Sequence, residues 1–248
     1  MRVIALLILC LPSSLIAAEA LVAVAANFTS LLKDLVTEFE SESAHRVSIS
    51  PGSTGKLFAQ IINGAPFDIF LAADQARPER LENSGHGVAG SRFTYATGRL
   101  VLLTIDAGLI RNDLRETLLQ ERLRVIAIAN PTLAPYGAAA ESVLQSLGIR
   151  DEIASKIVMG ENIGQTFSHV ATENAGVGFV GLASIMAAGN QSPDSYVEIP
   201  PHLYAPIRQD VILLNHGKNN VAAREFMIFL RSEAVRERIA SAGYLVDL

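Results

Sequence analysis

Residues 21–40 read LVAVAANFTSLLKDLVTEFE, and this stretch decides the fold class. Residues 21–26 form a short apolar run of the kind that makes a strand buried on both faces. Asn27 stands where a helix N-cap is expected, and Leu31, Leu32, Leu35, Val36 and Phe39 then recur at helical spacing. A buried strand feeding an amphipathic helix is the opening of an α/β chain, because the helix supplies the cover that such a strand requires.

The rhythm continues outward from that unit. Residues 46–50 (RVSIS) alternate as a strand, and 51–55 (PGSTG) read as a turn. Leu57, Phe58, Ile61 and Ile62 then mark a second helix. A third strand is expected over 67–72 and a helix over 74–82. Beyond Tyr95, strands are expected at 100–104, 125–129, 177–180 and 211–214. Helices are expected at 112–119, 136–147, 163–173, 221–230 and 233–240. No Pro/Gly-rich linker interrupts this series, so two lobes would be joined by strands that cross between them, at about 99–104 and 207–214. The division is then 21–97 plus 215–248 for the first lobe and 98–214 for the second.

Composition narrows the function. The chain has 248 residues, 50% of them hydrophobic, and a formal net charge of -5. It can bury a full core without staples. That acidity and the absence of any Lys/Arg run argue against a nucleic-acid partner, which usually meets a basic face. Arg2 followed by the apolar residues 3–11 reads as an export signal too short to cross a bilayer. Cleavage is expected after Ala18 or Ala20, making residues 1–20 or slightly fewer a signal peptide. The single cysteine, Cys10, lies inside that segment, so the mature chain has neither a disulfide nor a thiol nucleophile.

Three motif-like segments carry less chemistry than their letters suggest. Gly52-Ser53-Thr54-Gly55-Lys56 has too few residues between its glycines for a nucleotide phosphate loop, and Leu57 follows the lysine. What remains is a helix opening whose N–H groups and hydroxyls could grip an anion, or an ordinary N-cap, with Lys56 in solvent. Residues 176–181 (GVGFVG) match a dinucleotide fingerprint, yet the strand they need in front is replaced by an expected helix. They read as a glycine-rich strand packed closely on its neighbours. The five histidines show no metal-ligand spacing, and no G-x-S-x-G elbow localises a hydrolase. No catalytic residue and no cation ligand is assigned.

Taken in order, several blocks resemble one known family along the whole mature chain. They are Ala25-Ala26-Asn27-Phe28, Gly52 to Leu57, residues 64–74 (GAPFDIFLAAD), Asn130-Pro131 with Pro135-Tyr136-Gly137, Gly160-Glu161-Asn162-Ile163, and residues 176–180. The chain resembles the periplasmic molybdate-binding proteins. The resemblance implies a type II periplasmic-binding-protein fold: two α/β lobes, each a mixed sheet flanked by helices, closing on an oxyanion in the interlobe cleft. It implies Asn27, Ser53 and Thr54 as ligand-binding residues from the first lobe, and Tyr136 and the backbone N–H of Ile163 from the second. It implies a periplasmic monomer that binds molybdate or tungstate, needs no cofactor, and delivers its ion to an ABC permease in the inner membrane. Some relatives carry a tyrosine after the 178–180 strand and a small residue at position 136. Here Gly181 and Tyr136 reverse that choice, so the phenol is expected to reach the ion from the other loop.

The inferred contacts suit the chemistry. Molybdate, tungstate and sulfate are dianions that only accept hydrogen bonds, so their pocket needs uncharged donors. Phosphate and arsenate near neutral pH keep a proton and would need an acceptor. The same transport role for sulfate is the nearest alternative. A type II-fold enzyme or a sensor domain is the alternative from another class.

Overall fold

The computed structural model describes residues 17–189 and 195–246. The expected export segment up to residue 16, with Cys10, lies outside the described residues. The first unit is β1 (Glu19–Ala25), α1 (Thr29–Glu42), β2 (Arg46–Gly52), α2 (Thr54–Ile62), β3 (Ile69–Leu71), α3 (Ala76–Asn83) and β4 (Phe93–Gly98). The second is β5 (Leu100–Leu103), α4 (Leu114–Leu119), β6 (Ile126–Ala129), α5 (Pro135–Ser146), β7 (Ile157–Gly160), α6 (Ile163–Ala171), β8 (Val177–Gly181), α7 (Leu182–Ala187) and β9 (Tyr196–Glu198). The chain returns through β10 (Ile207–Leu213) and ends with α8 (Val221–Leu230) and α9 (Glu233–Ser241).

Two five-stranded sheets result, in the orders β2-β1-β3-β10-β4 and β7-β6-β8-β5-β9. Each has three parallel strands followed by an antiparallel one, β10 in the first and β5 in the second. This is the expected two-lobed α/β fold with mixed sheets. The parallel strands are apolar throughout, as at β6 with all four residues buried, because helices cover both faces. Phe28, Leu32 and Leu35 on and before α1 join Phe226 of α8 in the first core, all at 0% exposure. Full burial of each such side chain contributes roughly 1.5–3 kcal/mol.

Several boundaries differ from the sequence reading for identifiable reasons. The strand expected at 21–26 starts at Glu19, and Ala20, fully buried, pairs with Val47. Strand β2 runs through Pro51, because β2 is the sheet edge and the missing N–H faces no partner there. Strands β4, β7 and β9 and helix α7 were not anticipated. Placing 207–214 with the second lobe is corrected for β10, which bonds to β3 and β4 and so belongs wholly to the first sheet. The passage outward is therefore a single residue, Arg99, between β4 and β5. Residues 176–181 pack as expected: a Cβ on Gly178 would meet the Val170 side chain at 2.5 Å.

Candidate functional site

The carboxyl ends of the parallel strands point at the gap between the sheets, and the helices that follow begin there. Helix α2 opens at Thr54, α5 at Pro135 and α6 at Ile163, and all three openings line one small cavity with Ala26 and Asn27 of the 3-10 turn before α1. The first N–H groups of a helix have no partner within it, and the peptide dipoles place partial positive charge at that end. Three such ends facing one cavity favour an anion. The lining includes no Asp, Glu, Lys, Arg or His.

Ser53 holds the N-cap position of α2, yet its side chain makes no capping bond. The contrast with Asn220 and Ser232 is direct, since these cap α8 and α9 in the ordinary way. Ser53 is 1% exposed and its Oγ has no hydrogen-bond partner. Four buried side-chain polar atoms are unpartnered among the described residues, on Thr29, Ser53, Glu141 and Arg236. Of these residues only Ser53 lines the cavity. The Ser53 hydroxyl, making no bond to the protein, keeps its proton free to donate to whatever enters the cavity.

Thr54 is equally buried, and its Oγ1 accepts from the Ala73 N–H at 3.1 Å. Its own proton is left to donate. Tyr136 is 2% exposed, and its Oη accepts from Gln209 Nε2 at 3.2 Å. Burial pushes the Tyr136 phenol well above its ordinary value, and nearby Tyr244 adds to the shift. It is therefore neutral and able to donate. Gly98 and Gly181 make room for its ring: an added Cβ would stand 2.1 Å and 3.5 Å from Tyr136 Oη, respectively. The reversal of Gly181 and Tyr136 seen in the sequence thus has a steric basis, because the ring of one occupies the space beside the other.

Asn27 behaves differently from the reading of it as a helix cap. It makes no cap bond, and its Nδ2 donates to Gln209 Oε1 at 2.8 Å and to Tyr244 Oη at 3.3 Å. Its amide nitrogen is thereby committed to the protein. Ile163 is the first residue of α6, where Asn162 caps by accepting from the Gln165 N–H at 3.0 Å. Asn27, Ser53, Thr54, Tyr136 and Ile163 all line the cavity, so the structure brings the five together.

Sequence reasoning missed the layer behind them. Gln209 is 0% exposed on β10, and its Oε1 also accepts from the Tyr95 hydroxyl at 3.1 Å. Tyr95 and Tyr244 stack edge-on against Phe28, with centroids 4.7 and 5.4 Å away. The only signal was the polar run Arg208-Gln209-Asp210 inside a strand that is otherwise apolar. Across the mouth of the cleft the lobes touch. Gly55 N–H donates to Leu133 C=O at 2.8 Å, Arg77 donates to Thr132 C=O at 2.9 Å, and Lys56 pairs with Glu161 at 2.7 Å. Lys56, expected in solvent, is thus half-exposed and bridges the lobes.

Comparison with known proteins agrees with the fold. A family model described as bacterial extracellular solute-binding protein matches residues 20–245. The molybdate-binding protein ModA of Azotobacter vinelandii is 46% identical over 228 residues, covering 92% of this chain and 90% of that protein. ModA of Rhodobacter capsulatus is 40% identical, covering 96% and 92%. The solved structure of the periplasmic molybdate-binding protein of A. vinelandii superposes with a TM-score of 0.87 at 38% identity, covering 92% of this chain and all of that one.

Proposed function

Because the chain belongs to the bacterial extracellular solute-binding proteins, in the group that holds the ModA molybdate-binding proteins, we propose that it captures molybdate in the interlobe cleft and hands it to an ABC importer. The observation that carries this reading is the buried, unpartnered Ser53 hydroxyl in a cavity that three helix N-termini line without a charged side chain. In this reading Ser53, Thr54 and Tyr136 donate through their hydroxyls, Ile163 through its backbone N–H, and Asn27 through the backbone while its side chain holds the layer behind. Each hydrogen bond to a charged acceptor contributes about 1.5–3 kcal/mol, so a ring of them offsets the desolvation of a dianion.

Tungstate presents the same four oxygens and is bound by the same donors. The chain performs no reaction; lobe closure is its work. It acts in the periplasm after removal of the export signal. Cleavage after Ala18 leaves β1 whole, whereas cleavage after Ala20 removes the residues that pair with Arg46 and Val47.

Calorimetric titration of the mature, ion-stripped protein with molybdate, repeated with tungstate and in excess sulfate, tests the reading. One-to-one binding that survives sulfate is expected. Binding lost to sulfate would move the substrate to sulfate, and no heat with any oxyanion would end the proposal.

A further inference from the structure

Two carbonyls of the second lobe are gripped from the first at the mouth of the cleft. Gly55 N–H donates to Leu133 C=O at 2.8 Å, and Arg77 Nη2 donates to Thr132 C=O at 2.9 Å. We propose that Gly55 and Arg77 are positioning residues that form a strap between the lobes, away from the ion, and set how long the loaded cleft stays shut. This rests on the reading of the cleft as an oxyanion site.

Each end of the strap is braced within its own lobe. On the second lobe, Asn130 Oδ1 accepts from the Thr132 N–H at 3.0 Å and from the Thr132 hydroxyl at 2.7 Å. Asn130 C=O accepts from the N–H groups of Leu133 at 3.1 Å and Ala134 at 2.8 Å. The turn satisfies its N–H groups internally and leaves the Thr132 and Leu133 carbonyls to accept from the other lobe. On the first lobe, Asp74 accepts from the Arg77 N–H at 3.0 Å and also pairs with its guanidinium, which fixes the long side chain in place.

Neither Gly55 nor Arg77 lines the ion cavity, but their neighbours do. Ser53 and Thr54 directly precede Gly55, and Pro135 and Tyr136 lie just beyond Leu133. Gripping residues 132 and 133 therefore fixes the distance between the donors of the two lobes. The glycine is explained by this close approach. A Cβ on Gly55 would stand 3.0 Å from Leu133 Cα and 3.1 Å from both the Leu133 carbonyl oxygen and Arg77 Nη2. Its φ is not positive, so conformation alone does not require glycine there.

Both bonds of the strap cross between lobes and exist only when the lobes meet. They stabilise the shut state and leave the open one unchanged, so they act on release rather than capture. The side chains of Arg77 and Asp74 are 26% and 20% exposed, about half the values of 54% and 48% for Lys56 and Glu161. The acceptors on the second lobe are uncharged carbonyls. The strap should therefore survive salt that screens the Lys56–Glu161 pair.

The test is stopped-flow binding and release of molybdate at low and high salt, with thermal denaturation of the ion-free protein. Arg77→Met keeps the stem and removes the donors. Release is expected to quicken about tenfold at both salt concentrations, with association changed by no more than about twofold. Gly55→Ala should quicken release at least as much. Its ion-free melting temperature should hold or rise, because alanine restricts the unfolded chain more than glycine does. A purely structural role predicts the reverse, a lower ion-free melting temperature with release unchanged. Wild-type release in either variant, an effect confined to association, or an Arg77→Met effect that vanishes at high salt would overturn the proposal. If Gly55→Ala does not fold, Arg77→Met decides. Wild-type protein that binds no molybdate ends the oxyanion reading and the strap with it, and that result is seen before any variant is compared.

Discussion

A Cβ on Gly98 would stand 2.1 Å from Tyr136 Oη and 3.0 Å from Gln209 Nε2. Gly98 ends β4 one residue before the chain crosses to the second lobe, so the hinge and the phenol share one space. Gly98→Ala is expected to displace Tyr136, to lower the melting temperature, and to weaken molybdate binding by at least about tenfold, the loss of one donor. Thermal denaturation and calorimetry of the variant check both effects. Wild-type affinity would show that the phenol does not need this place.

Ser53 and Thr54 are adjacent, equally buried hydroxyls with different partners, and this separates affinity from stability. Thr54→Ala strands the buried Ala73 N–H, so the ion-free protein should lose about 1–3 kcal/mol in denaturant unfolding and also bind more weakly. Ser53→Ala removes an unpartnered hydroxyl, so the ion-free protein should be as stable as wild type or more so. Its affinity should still fall. Equal destabilisation by the two substitutions would contradict the orphan role of Ser53.

Ile163 tests a backbone donor. It is the first helical residue of α6, and Asn162 before it is extended at φ -146 and ψ 175, which suits a residue preceding proline. Proline is tolerated at the first position of a helix, where its missing N–H has no intrahelical partner. Ile163→Pro should therefore fold and fail to bind, whereas Ile163→Val should bind nearly as wild type. Circular dichroism and titration together distinguish this from a broken helix.

The Lys56–Glu161 pair closes the cleft from opposite lobes with both partners about half exposed. Exposed pairs contribute about 0.2–1 kcal/mol and are screened by salt. Lys56→Ala should weaken binding only a few-fold at low ionic strength, mainly through faster release, and the difference should vanish at high salt. A large, salt-independent loss in stopped-flow release would point to direct contact of Lys56 with the ion.

Three buried tyrosines set the alkaline limit of stability. Burial raises Tyr95, Tyr136 and Tyr244 above the ordinary value of 10.0. The folded state holds these protons more tightly than the unfolded chain does, so their contribution is intact below about pH 10. It is lost as pH rises beyond that, because only the unfolded chain ionises readily. Melting temperature should be flat with respect to these groups up to about pH 10 and then fall steeply. Replacing Tyr244 with Phe should make that fall shallower.

The opening strand and helix at 21–40, the helix at 54 and the glycine-rich strand at 177 were legible in the sequence because each is a local pattern. A buried strand needs a continuous apolar run and a covering helix needs apolar residues three and four apart, so hydrophobic period alone specifies them. The five cleft residues were legible through resemblance, since each stands in a short block at a helix opening. Less was visible where a residue's role depends on distant partners. Nothing near Asn27 tells that its amide bonds to Gln209 and Tyr244, respectively 182 and 217 residues away. The 207–214 segment looked like a second-lobe crossing because its apolar content suits either sheet.

By itself, the sequence determined an α/β chain, the order of its elements, and which loops open helices. Tertiary structure alone decided that β10 closes the first sheet, that Ser53 is left without a partner, and that Tyr136 fills the space of two glycines. The division has one physical cause. Backbone pattern and helix capping are set by neighbours along the chain, whereas the direction of a buried proton is set by whichever donor or acceptor folding places opposite it.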